Sequence, residues 1–212
     1  MLMIQAALDK DDLAEVNTRL KGLSRPDRPG QRRLGESYQN DSKTRAVMGW
    51  VKTQIARHPL VSAYAQPLRW SQVLLARHTA QDAYGLQIPD GMMKADDGQP
   101  MRSDLAFTLF LSPMDTYDGG AVSLESNDGT RDVRLNAGDM VIHRTGQLHQ
   151  IAPVTRGERV ACIGWIQSLT AREDERDVLF DLNRMAMNSQ ERDQQLMLQK
   201  TINDLTRMWG KV

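Results

Sequence analysis

The chain has 212 residues, 40% hydrophobic and 25% charged, a size and balance that suit one globular unit with a helical appendage. Its 27 basic and 27 acidic side chains cancel, which argues against a nucleic acid or a membrane surface as partner; the run RPDRPGQRR from Arg25 is the only local basic patch. The single cysteine, Cys162, sits inside the apolar VACIGWI and can form neither an internal disulfide nor a multi-cysteine zinc site. MLMIQAAL carries no basic leader and no apolar run approaches the roughly 20 residues of a membrane span, so a soluble cytoplasmic protein is expected.

In chain order, Asp9 can cap a helix over about 10–22, with Leu13, Val16, Leu20 and Leu23 on one stripe. Residues 24–42 hold two prolines and two glycines among polar groups and read as a loop. Helical spacing returns at Lys43, with Val47, Trp50 or Val51, and Ile55 on one side, and stops at His58-Pro59 because proline disfavours helix in the residue before it. His58 belongs to that helix end.

From Pro67 to Ser168 the sequence consists of short alternating runs broken by turn residues, the pattern of an all-β sandwich or barrel. RWSQVLLARH ends at His78, on one face with Leu74 and Ala76. SDLAFTLFLS (103–112) is a strand, TYDGG turns the chain into AVSLES, NDG at 127–129 makes a hairpin to RDVRLN, and Ala137-Gly138-Asp139 turns into MVIH. A last strand pair flanks Thr155-Arg156-Gly157. Asp118 and Asp139 read as turn residues, and Gly119 and Gly120 as a tight backbone path. From Ala171 two helices follow, an appendage of about forty residues whose apolar faces suit padding of the barrel or a homodimer contact.

Within this framework His149, at a strand edge, precedes Arg159 by one hairpin, an arrangement able to hold a metal beside an anionic cosubstrate. The plainer reading of Arg159 is a surface pair with Glu158 or another acid.

The segments YG (84–85), MRSDLAFTLFLS (101–112), YDGGAVSLE (117–125), AGDMVIH (137–143) and LHQIAPVTRGERVACIGWIQS (148–168) together resemble the bacterial PKHD-type hydroxylases, members of the Fe(II)/2-oxoglutarate-dependent dioxygenases. The resemblance extends from about Ser71 to the C-terminus. It implies a mainly β, α+β fold: a double-stranded β-helix, jelly-roll or cupin-like, at 67–169, an N-terminal helical and loop segment at 1–66 packed on it, and a C-terminal helical pair at 170–212. It also implies a metal held by a His-x-Asp pair and a distal histidine, and an arginine that takes the far carboxylate of 2-oxoglutarate. His149 matches the distal histidine and Arg159 the arginine. Two imidazoles and a carboxylate leave positions open for a 2-oxoacid and O₂, and a guanidinium fork fits a carboxylate.

The His-x-Asp pair is where the sequence departs from that pattern. The chain reads YGLQIPDG, with Gln87 in place of the histidine and Pro89 in place of the aspartate. Three arrangements follow. His78, His143 and His149 could form a three-histidine site for Fe(II) or another divalent metal; Gln87, Asp90 and His149 could form a rearranged one if a bulge at Pro89 turned Asp90 inward; or no metal is bound tightly. The expected function is therefore a 2-oxoglutarate-dependent oxidoreductase acting on a C–H bond of a small-molecule or peptide substrate, with an atypical metal site. The alternative is a metal-deficient, non-catalytic binding or regulatory module that keeps the barrel.

Overall fold

The computed structural model describes residues 1–23, 41–80 and 85–211; the RPDRPGQRR run, most of the segment read as a loop, and Tyr84 lie outside them. Strand β1 (Leu2–Ile4) precedes α1 (Lys10–Lys21), which starts where the Asp9 carboxylate accepts from the Asp12 amide at 2.8 Å. Asp41 caps α2 (Ser42–Arg57) in the same way through Thr44, and Val47, Met48, Val51 and Ile55 are buried along one face. Burial of each such side chain contributes roughly 1.5–3 kcal/mol. Helix α2 ends before His58-Pro59 as expected, but Pro59 then opens a further helix, α3 (Pro59–Ala65). Proline at the first helical position lacks only an N–H that would have no helical partner there.

The strands follow: β2 (Pro67–Trp70), β3 (Leu74–Thr79), β4 (Met92–Lys94), β5 (Pro100–Arg102), β6 (Leu105–Phe110), β7 (Asp118–Gly119), β8 (Val122–Ser126), β9 (Gly129–Val133), β10 (Met140–Arg144), β11 (His149–Ile151), β12 (Val154–Arg156) and β13 (Glu158–Ser168). The larger antiparallel sheet runs β1-β10-β6-β13-β2, with β3 also paired to β13; a smaller one runs β11-β8-β9 and is extended by a bridge between Gln87 and His149. The NDG hairpin forms as read, Ser126 facing Gly129 across β8 and β9. The short strands β1, β4 and β5 carry too few residues to show an alternating pattern and escape a reading by periodicity.

Alternation along the strands separates two cores. Leu105, Phe107 and Leu109 of β6, Met140 and Ile142 of β10, and Cys162 and Ile166 of β13 pack with Val16, Val51 and Ile55 of the helices. Their neighbours Phe110 and Val141 pack across the barrel on Val122, Leu124 and Val133 of the smaller sheet. The result is a jelly-roll barrel with helices covering one outer face. Helices α4 (Glu173–Asn188) and α5 (Arg192–Trp209) close the chain; Phe180 meets Tyr64 of α3 edge-on at 5.1 Å, while Leu196, Met197 and Met208 stay exposed. Among the described residues no helix is long and apolar enough to cross a membrane.

The β12–β13 turn depends on Gly157. Its φ is +75°, and a Cβ there would lie 2.2 Å from the Thr116 carbonyl oxygen. Gly157→Ala is expected to cost at least about 1–3 kcal/mol, read as a lower urea midpoint; an unchanged midpoint would show that the turn relaxes freely.

Candidate active site

The strand period decides which side chains meet inside the barrel. On β6, β10 and β13, Leu109, Ile142 and Cys162 face the helices, so His143 and Arg159 point the other way, as does His78 on β3. A cavity of about 40 Å³ is lined by His78, Gln87, Thr108, His143, His149 and Trp165 among others. At roughly 10–15 Å³ per water it admits an ion with a water or two. Among the described residues no aspartate or glutamate lines it.

Gln87 and His149 exchange both backbone hydrogen bonds, at 2.8 and 3.0 Å, so their side chains stand beside each other on one face. The His143 ring lies 5.5 Å from that of His149, centroid to centroid, at 62°. Each imidazole has Nδ1 against a backbone carbonyl, His143 on Arg144 at 3.0 Å and His149 on Gln147 at 3.2 Å. A proton on Nδ1 donates to that carbonyl, which assigns the lone pair to Nε2. Burial pushes His143 down to about 4, against the opposing pull of the Arg144 carbonyl, and lowers His149 as well. Both rings are neutral at pH 7. The Gln87 amide oxygen is buried and has no hydrogen-bond partner among the described residues.

Arg159 is fully buried rather than at the surface, and Glu158 pairs instead with Arg77 at 3.4 Å. It stands opposite His78 in the β13–β3 register and donates from Nη1 to His78 Nδ1 at 3.1 Å. The guanidinium lies over the Phe110 ring at 5.1 Å. Gly120 leaves room for its stem, since a Cβ there would come 2.8 Å from Arg159 Cδ. Burial, and after it the Arg159 charge, push His78 down to about 3.

The three cavity histidines therefore divide. His143 and His149 are neighbours, whereas His78 turns Nδ1 to a cation; among the described residues no three His, Cys, Asp or Glu side chains are placed to hold one ion. Asp90 is exposed and does not line the cavity. No bulge at Pro89 turns it inward, and the Ser103 hydroxyl donates to its backbone carbonyl. The wall residues Thr108, Ile163 and Trp165 were not singled out from sequence, although the alternation of the 103–112 strand and of the run after Arg159 would have indicated them.

Residues 75–167 match the family model described as the 2OG-Fe(II) oxygenase superfamily. The chain is 37% identical over 225 aligned residues to a PKHD-type hydroxylase of Hyphomonas neptunium, covering 100% of both chains. It is 38% identical to a PKHD-type hydroxylase of Maricaulis maris, over 84% of this chain and 81% of that one. Among solved structures, HygX of Streptomyces hygroscopicus, with nickel and 2-oxoglutarate bound, superposes with a TM-score of 0.56 at 14% identity, covering 80% of this chain and 84% of that one. That likeness bears on the fold.

His78 gives the folded state a pH dependence. The unfolded chain takes up this proton near pH 6.5 and the folded one only near 3, so stability is full above about pH 7 and falls on acidification through that window. The slope from this one group reaches about 1.4 kcal/mol per pH unit. Urea midpoints compared at pH 8 and pH 5 should fall less in His78→Gln than in the parent; equal falls would refute a neutral buried imidazole.

Proposed function

The chain belongs to the PKHD-type hydroxylases of the 2OG-Fe(II) oxygenase superfamily, and on that footing we propose that it is an Fe(II)- and 2-oxoglutarate-dependent oxidoreductase that oxidises a C–H bond of a small molecule or peptide. The observation that carries this reading is the pairing of His149 and Arg159 at the family's positions inside one barrel, one neutral with a lone pair on Nε2, the other fully buried and cationic. A divalent cation fits on the His149 side, because the unpartnered Gln87 oxygen there has a positive charge as its natural complement. When bound, iron would let O₂ act as the four-electron oxidant, two electrons coming from 2-oxoglutarate as it is converted to succinate and CO₂ and two from the substrate C–H bond.

The protein's own side chains bind and orient. Arg159 supplies the cationic fork for the far carboxylate, with His78 fixing one arm by a hydrogen bond and Phe110 covering its face. Ala106, Val122, Ile151 and Ile163 make the rest of the wall largely apolar, which limits water and strengthens each charge interaction inside. The buried Cys162, its thiol pushed up to about 12, and the lack of a second cysteine suit a reducing cytoplasm, where we place the protein. The non-catalytic module is not favoured, since relatives spanning the whole chain are named hydroxylases.

Purified protein given Fe(II), 2-oxoglutarate and air is expected to form succinate above a metal-free control. Arg159→Lys keeps the charge but loses the fork, and is expected to raise the 2-oxoglutarate dissociation constant by about 10–100-fold in calorimetry. Unchanged affinity in that variant, or no succinate from the parent, would overturn the assignment.

A further inference from the structure

Two imidazole nitrogens and one amide oxygen face the same cavity as candidate electron-pair donors. His143 and His149 each have Nδ1 engaged by a backbone carbonyl, leaving Nε2 as a lone pair. This is the arrangement found in metal-binding histidines, whose second nitrogen donates to a carbonyl or carboxylate that fixes ring and tautomer. The Gln87 amide oxygen is buried and unpaired beside His149, and a group left in that state costs about 1–3 kcal/mol. All three line one cavity in which no carboxylate stands among the described residues, and its volume of about 40 Å³ suits an ion with a water. Pro89, where the family has its carboxylate, offers no donor.

We infer that His143, His149 and Gln87 form an all-neutral site, two imidazole nitrogens and one amide oxygen, for a borderline first-row divalent metal. The inference deepens the oxygenase reading, on which it rests for the place of the metal. His143 takes over a coordinating role that the family pattern gives to the lost pair, and His78 stays with Arg159. A set of two imidazoles favours Fe(II), Co(II), Ni(II), Cu(II) or Zn(II), while the absence of any carboxylate disfavours Mg(II), Ca(II) and Mn(II). The bound ion keeps both positive charges, because no ligand neutralises either.

The test needs neither 2-oxoglutarate nor substrate. Metal-free protein is titrated anaerobically with Co(II), followed by its visible absorption and by calorimetry, with Mg(II) as the contrasting ion. One Co(II) per chain is expected, with Mg(II) not competing. His143→Ala and His149→Ala should each weaken Co(II) binding at least about tenfold, since losing a ligand costs no less than losing its outer-shell support. Gln87→His should tighten binding, a gain that misfolding cannot mimic, and His58→Ala, at the α2–α3 junction, should leave it unchanged. Parental affinity in His143→Ala, or no tightening in Gln87→His, would overturn the site. Co(II) binding as expected without succinate formation would remove the oxygenase reading and leave the metal site standing; succinate formation with parental Co(II) affinity in His143→Ala would do the reverse.

Discussion

Strand β13 is hydrogen-bonded to β3 over Glu158–Ile163, to β6 over Ala161–Ile166 and to β2 at its end, so its register is held from both sides. A slip of one residue would carry Arg159 into the apolar layer beneath the helices and bring Cys162 into the barrel. A guanidinium with no partner in that layer would cost several kcal/mol, whereas in the actual register it meets His78 and the Phe110 face. The same pairing makes β6 and β10 present Thr108 and His143 inward, and the smaller sheet closes over them. The position of the site is thus a consequence of strand pairing, with the helices holding the other face of the same sheet.

The interior that results is electrostatically divided. On one side stand two imidazoles kept neutral by burial and an amide oxygen, and on the other a permanent cation with a neutral histidine as its partner. A divalent ion needs lone pairs, and a dicarboxylate cosubstrate needs a guanidinium; on the function proposed above, different strands of one barrel would meet the two requirements. Burial and the permanent charge on Arg159 together hold His78 neutral, because a protonated His78 would set two cations 3.1 Å apart.

Membership of the PKHD-type hydroxylases establishes the fold and the kind of chemistry, and on the function proposed above the altered half of the site is the one at Gln87 and Pro89. His149 and Arg159 sit on strands held by the main ladders of the two sheets. Gln87 and Pro89 lie outside the main strand ladders, on a segment that bridges to His149 and is held by Ser103 beyond Pro89, where a changed side chain disturbs no core layer. Asp90 does not compensate, because the backbone keeps its alternation past Pro89 and leaves the carboxylate in solvent.

By itself the sequence determined the long elements: the capped helix after Asp9, the strand through Leu105–Phe110, the NDG hairpin and the two terminal helices, since each carries its period or its turn over enough residues to be read locally. It also marked His149 and Arg159 as a candidate pair, through their spacing across one hairpin and the family pattern around them. Short elements such as β1, β4 and α3 had no such length, and α3 sat behind a proline that ends one helix and starts the next. Only the tertiary structure decided how the histidines are shared out. His78 lies far in sequence from His143 and His149, which stand on consecutive strands, and which of them meet depends on cross-strand register and ring direction: it gave His78 to Arg159, placed His143 beside His149, and left the Gln87 oxygen without a partner among the described residues.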